Sequence, residues 1–209
     1  MSDLTRDAER SRADKIALRD RLLTARRALT PSALASAAAA IQDQTLSLVR
    51  REQPTSVAAY VPMGREPGGP ELVVSLSAHT RVLLPVLLPD NDLDWAAYPG
   101  TTSFGDANPL AAGRRGLLEP AGPRLGVGAV AQVGLVFVPA LAVDRSGMRM
   151  GRGGGSYDRA LSRLPSLGSP LVVALLHEGE LVDYIPAEPH DRPVDAAITP
   201  GGGLTVFGN

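Results

Sequence analysis

Arg149 and Arg152 stand inside a glycine-rich run, Arg149-Met150-Gly151-Arg152-Gly153-Gly154-Gly155-Ser156-Tyr157-Asp158. These residue types suit an anion. Arginine forks onto phosphate oxygens. Successive glycines let backbone amides converge on one concavity, and a helix N-terminus behind them adds partial positive charge. Asp158 closes the run at an expected helix start, where it complements the helix dipole or holds a metal ion beside phosphates. The run does not end in Gly-Lys-Ser/Thr, which excludes a Walker A loop. Ser156 falls where the last glycine of the dinucleotide fingerprint belongs, which excludes that motif too. A plain glycine turn with solvated arginines would use the same residues, so the segment alone leaves both readings open.

Other candidates lie far away in the chain. Lys15 and Arg19 are four apart in a stretch with helical apolar spacing, so they share one face. Two like charges there repel, which makes more sense opposite a common anion than opposite water. Lys15 is also the one lysine against twenty arginines, a composition in which a compact ammonium stands out. Glu66 follows an apolar strand in the loop Met63-Gly64-Arg65-Glu66-Pro67-Gly68-Gly69. Asp191 and Asp195 flank Arg192-Pro193, and with Asp158 they can share Mg2+ in the sparse way that ion is held, by one or two carboxylates plus phosphate oxygens and water. His79, His177 and His190 have no metal-ligand spacing. A solvated loop acid or a basic helix face would account for each of these residues taken singly.

The elements that must position these residues alternate. Residues 1–6 read as a tail and residues 7–29 as an amphipathic helix. Thr30-Pro31-Ser32 opens a second helix, to about Arg51. Strands are expected at 56–61, at 81–88 (interrupted at Pro85, so an edge or a strand end), at 93–98 and at 171–176. A single strand is expected from Val133 to Asp144, followed by the glycine run and a helix from Arg159 to Leu164. Short strands close the chain at 196–199 and 204–207. The region 99–129 has little periodicity apart from Leu117-Leu118-Glu119-Pro120. This alternation predicts an α/β fold: an open, largely parallel sheet with helices on both faces. Ligands in such sheets sit beyond the strands' C-terminal ends, so Glu66, the glycine run and residues 183–195 are expected to line one cleft.

Composition narrows the class. The chain has 209 residues, 44% of them hydrophobic, with a net charge of −1 and no cysteine. A tail and one domain at 7–209 fit that size. Balanced charge implies no bulk attraction to nucleic acid or acidic membrane. Disulfides and thiolate metal sites are excluded. The charged N-terminus and the lack of a long apolar run predict a cytoplasmic protein with neither signal peptide nor membrane span.

Taken in order, Lys15-x-x-x-Arg19, Glu66, Leu118-Glu119-Pro120, Val138-Pro139-Ala140-Leu141-Ala142-Val143-Asp144, the segment from Gly147 to Arg159, and Val194-Asp195 make the chain resemble the 5-formyltetrahydrofolate cyclo-ligases, also called methenyltetrahydrofolate synthetases. The resemblance spans about residues 10–200. It implies a ligase of one-carbon metabolism that uses ATP and Mg2+ to convert 5-formyltetrahydrofolate to 5,10-methenyltetrahydrofolate, releasing ADP and phosphate through a phosphorylated formyl intermediate. It also implies roles. Lys15 and Arg19 contact ATP phosphates, and Arg149, Met150, Gly151, Arg152, Gly153, Gly154, Gly155, Ser156 and Tyr157 cradle the nucleotide. Lys15 and Arg152 act on the phosphoryl group in transfer. Asp158 and Asp195 hold Mg2+. Glu66 binds the pterin, and Val61, Arg152, Gly153, Gly154, Gly155 and Ser156 line the folate pocket. Ser156 departs from the aromatic common in relatives, which removes a stacking contact; Met150 for Leu conserves volume. The expected partners are folate and ATP, with no nucleic acid or membrane, in a monomer or weak homodimer. A non-catalytic folate- or nucleotide-binding relative, and an unrelated sugar-phosphate enzyme on a similar sheet, are the alternatives.

Overall fold

The computed structural model describes residues 3–100, 110–165 and 168–208. Its helices are α1 (Asp3–Ala28), α2 (Pro31–Glu52), α3 (Leu72–Ser77) and α4 (Ser156–Leu161). Its strands in chain order are β1 (Ser56–Ala58), β2 (Arg81–Leu87), β3 (Leu93–Ala97), β4 (Leu110–Ala112), β5 (Leu118–Pro120), β6 (Leu135–Pro139), β7 (Ala142–Asp144), β8 (Arg149–Met150), β9 (Leu171–Leu175), β10 (Leu181–Val182), β11 (Ala196–Thr199) and β12 (Gly203–Val206).

Seven strands form the main sheet in the order β12-β11-β9-β6-β1-β2-β3. The interior pairings from β11 to β2 are parallel, and β12 and β3 add antiparallel edges. The α/β class, the largely parallel sheet and the packing on both faces match the sequence reading. One face packs on α2 and α3 through Ile41, Leu48, Leu72 and Leu76 against Leu84, Phe137 and Leu175. The opposite face meets Ala160 and Leu161 of α4, with Val130 and Phe207. The central strands are apolar throughout because both faces are buried.

α1 and α2 are separated by a defined break. Thr30 caps α2, its Oγ1 accepting from the Ala33 amide at 3.2 Å, and Pro31 takes the first turn, where its missing N–H costs nothing. α1 begins at Asp3, so four of the residues read as a tail are helical. It packs on the small sheet β10-β7-β8 rather than on the main one. Leu22, with Leu18 and Leu23, meets Leu141, Ala142, Met150 and Ile185.

Three expectations change. The stretch 133–144 is two strands in two sheets, broken at Ala140–Leu141. The Arg26 guanidinium takes the Ala140 carbonyl at that break, so a distant residue replaces the ladder there. Pro85 lies within an interior strand, not at an edge. β1 ends its pairing at Ala59 N–H to Leu83 C=O, so the missing N–H of Pro85 falls beyond that strand's end. The next amide of the same parity, Leu87 N–H, goes to the Glu119 side chain. The helix after the glycine run begins at Ser156, three residues early, and is only six residues long. Part of the region 99–129 lies outside the described residues; the rest holds the β4–β5 hairpin.

Candidate active site

A cavity of about 900 Å3 opens at the C-terminal ends of β1 and β6. α1 forms one wall with Arg12, Lys15, Ile16 and Arg19. The β1 loop supplies Val61 and Glu66, the glycine run supplies residues 149–155, and α4 supplies Ser156, Tyr157 and Asp158. The segment after β10 supplies Glu188, His190, Asp191 and Arg192. The three loops expected at one cleft do meet there. Nine cationic side chains line the cavity against four carboxylates, so its field favours a polyanionic occupant.

Lys15 is buried. Its Nζ donates to Asp191 Oδ2 at 2.5 Å and to Glu188 Oε2 at 2.9 Å. Burial opposes its charge, but the two acids outweigh burial and hold the ammonium above its usual range. Burial likewise pushes Asp191 up, and the Lys15 bond, the Glu188 amide and the nearby Lys15 and His190 charges together more than reverse that. Glu188 is lowered first by its Lys15 bond. Arg19 sends Nε to the Gly151 carbonyl at 3.1 Å. That bond ties α1 to the glycine run without neutralising the guanidinium. Arg152 is largely exposed and stands 3.5 Å from Glu66 across the cavity. Glu66 is steadied by the Met63 amide, which donates to Oε2 at 3.0 Å.

Arg149 is not a free loop arginine. It is buried, its Nη2 donating to Asp158 Oδ1 at 2.8 Å and its guanidinium standing 6.0 Å from the Tyr157 ring centre. The Arg192 amide donates to the same Oδ1 at 3.2 Å. Met150 is also buried, facing α1. Tyr157 keeps a buried hydroxyl without a hydrogen-bond partner, and burial, then Glu66, raise its pKa far above the ordinary value. Gly153 and Gly155 take φ of +96° and +68°, backbone that side chains resist, so the loop needs glycine at both.

Asp195 is displaced from the role expected for it. Its Oδ2 accepts the Val172 amide at 2.7 Å, at the start of β9, and it precedes β11. Both strands run parallel, so it lies at the N-terminal end of the sheet, away from the cavity. Asp191 is the acid of that pair that reaches Lys15 and lines the cavity. Arg12 and Ile16 were missed although Arg12 sits three residues before Lys15, a same-face spacing. Glu188 carried no signal of its own. Among the described residues, Glu188, His190 and Asp191 are the group whose ligand atoms cluster closely enough to hold a metal, and Lys15 Nζ is bonded to two of them.

The family model described as the 5-formyltetrahydrofolate cyclo-ligase family matches residues 11–200. The chain belongs to that family. It is 42% identical over 159 residues to a 5-formyltetrahydrofolate cyclo-ligase of Mycolicibacterium smegmatis, covering 73% of this chain and 77% of that one. It is 29% identical over 157 residues to one of Haemophilus influenzae, covering 74% and 80%. The solved 5,10-methenyltetrahydrofolate synthetase of Aquifex aeolicus shares the fold with a TM-score of 0.77 at 23% identity, covering 93% of each chain. That of Mycoplasma pneumoniae gives 0.67 at 19%, covering 88% of this chain and 97% of that one. Among the described residues no helix is long and apolar enough to cross a membrane.

Proposed function

We propose that this cyclo-ligase family member converts 5-formyltetrahydrofolate to 5,10-methenyltetrahydrofolate with ATP as phosphoryl donor and Mg2+ as its companion ion. The observation that carries the reading is one cavity in which Glu66, the glycine run, Asp158, Asp191 and the basic face of α1 all meet.

The formyl oxygen is a weak nucleophile, and it is a poor leaving group until it is phosphorylated. In the first step that oxygen bonds the γ-phosphorus, and the bond from phosphorus to ADP breaks. In the second, the neighbouring folate nitrogen attacks the formyl carbon and gives up its proton, the carbon–oxygen bond breaks, and phosphate leaves, taking up that proton, as the ring closes. Neither step needs a protein nucleophile. The protein has to align the two substrates and offset charge in transfer.

Each residue then has a task. Arg19, Arg12 and the amides of Gly153 to Gly155 receive the triphosphate. Arg152 stands between phosphate and folate and steadies the transferring group. Glu66 accepts paired hydrogen bonds from the amino-pyrimidinone edge of the pterin, with Val61 and Ser156 beside it. Lys15 exchanges its carboxylate partners for phosphate oxygens. Asp158 and Asp191 fit a hard dication that keeps most of its waters: Arg149 and the Arg192 amide occupy Asp158 Oδ1 and leave Oδ2 to accept. When bound, Mg2+ supplies charge neutralisation on the phosphates. Arg149 belongs to that site indirectly, as the residue that orients Asp158.

The test is absorbance of methenyltetrahydrofolate on mixing the protein with 5-formyltetrahydrofolate, Mg2+ and ATP. Product is expected with ATP and none without it. No product in the complete mixture overturns the reading.

A further inference from the structure

Arg26 and Glu180 are 4% and 3% exposed and lie 154 residues apart in sequence. Arg26 Nε and Nη2 fork onto Glu180 Oε1 and Oε2 at 2.6 and 2.8 Å, and Nη2 also donates to the Ala140 carbonyl at 2.5 Å. Desolvating two charges offsets much of their attraction, so such a pair is a weak source of stability. What it supplies is direction. Its bonds continue into a closed circuit. Glu180 Oε2 accepts the His177 amide at 2.7 Å. His177 Nε2 lies 3.0 Å from the Arg65 carbonyl, and a carbonyl only accepts, so Nε2 carries the hydrogen. The Arg65 guanidinium returns to the end of α1, donating to the Leu29 carbonyl and to Arg26's own carbonyl at 3.4 Å. Arg65 adjoins Glu66, and Glu66 is locked into the same turn by exchanging hydrogen bonds with Met63.

We propose that the buried Arg26–Glu180 pair is a positioning device, which acts through His177 and Arg65 to fix Glu66 relative to the helix that carries Lys15 and Arg19. The circuit joins the C-terminal end of α1, the loop after β1 and the turn after β9. Arg26 and Glu66 both line the cavity, while Glu180 and His177 lie behind it. The inference rests on the proposed roles of Glu66 in binding folate and of α1 in binding phosphates. The circuit therefore pre-organises Glu66 opposite α1 before folate arrives, which removes an ordering cost from folate binding.

The double variant R26M/E180M replaces the pair with apolar groups of similar length, and H177F cuts only the link to Arg65. Amide hydrogen exchange of residues 63–69 is followed in both. Exchange there should rise about tenfold, the size of one lost hydrogen bond, while amides of β6 keep their rates. In steady-state assays, the KM for 5-formyltetrahydrofolate should rise by a similar factor, with kcat at saturation within about twofold. A purely stabilising pair would lower Tm and leave both loop exchange and that KM unchanged, and this result overturns the proposal. Should the double variant not fold, H177F decides alone: unchanged exchange at 63–69 sinks the positioning role. An unaltered chain that makes no product refutes the functional reading, while the exchange measurement still decides whether the circuit holds the loop.

Discussion

Asp158, Asp191 and Asp195 show how much a single carboxylate's neighbours decide. The sequence places all three near a glycine loop, and their spacing does not rank them. In the fold, Asp158 and Asp191 line the cavity, and Asp195 spends an oxygen on the Val172 amide at the other end of the sheet. D158N and D191N should therefore raise the Mg2+ concentration for half-maximal rate by about tenfold or more, as expected for a lost charged ligand. D195N should leave that concentration unchanged and cost about 1 kcal/mol of stability, since a charge-assisted bond becomes a neutral one. A Mg2+ titration of the three variants, with denaturant melts beside it, checks both halves; a shifted Mg2+ midpoint in D195N would return it to the metal. Lys15 makes a pH prediction. Glu188 and Asp191 are lowered from 4.5 and 3.8, so their contribution is present above those values and fades as pH falls through the lowered ones. Lys15 is raised from 10.5, so its contribution is present below that value and fades as pH rises through the raised one. K15Q should flatten both limbs of a Tm-against-pH curve, and should raise the KM for ATP about tenfold. Unchanged limbs would mean the ion pairs contribute nothing to folding.

At the level of elements, the turn between β7 and β8 carries a strict local demand. Gly147 has φ of +82°, and a Cβ there would lie 2.5 Å from the Val194 carbonyl. Gly147's own carbonyl accepts the Val194 amide at 2.8 Å, so this contact docks the turn on the segment leading into β11. G147A should cost about 3 kcal/mol, from left-handed backbone plus the clash, or roughly 6–12 °C in Tm. Calorimetry checks it, and a Tm within 2 °C of the parent would show that the turn yields at little cost. The sequence makes the turn legible as a break, but it gives no hint of what the turn touches. The same boundary runs through the rest of the fold. Apolar runs located β9 and β11, and Thr30-Pro31 located the start of α2, because those signals are local. The split between β6 and β7 is not legible: the group that takes the Ala140 carbonyl there, Arg26, lies 114 residues away. The interior place of Pro85 is not legible either, because its harmlessness depends on where a neighbouring strand stops. In the site, the glycine run and the Lys15–Arg19 face were visible from residue type and spacing. The partners Glu188 and Glu180 were not, since a pairing across more than 150 residues leaves no trace in spacing.

The whole molecule divides unevenly. The main sheet is sealed by α2 and α3 on one face and by α4 and its neighbours on the other, and among the described side chains neither of those clusters contains a residue of α1. Among the described residues α1 is held instead by the small cluster around Leu22 and by polar ties that include those of Lys15, Arg19 and Arg26 and the Arg65 guanidinium on the Arg26 carbonyl. Few apolar contacts and a long exposed face mark a unit that opens at lower free energy than the sheet. Yet α1 supplies Arg12, Lys15 and Arg19 to the cavity, so a triphosphate bound there must bridge this sparsely anchored helix to the loops of the main sheet. Binding that requires α1 in place stabilises α1 by mass action, by about 2.7 kcal/mol at a ligand concentration a hundredfold above Kd. Adding a non-hydrolysable ATP analogue with Mg2+ at that excess should slow exchange of the amides between Lys15 and Arg26 by up to about a hundredfold. Amides of α2 near the buried Ile41 and Leu48 should change far less. Nucleotide bound at saturation with α1 exchange unaltered would mean that the phosphate site is complete without the helix. The basic face carrying Lys15 and Arg19 would then need another explanation.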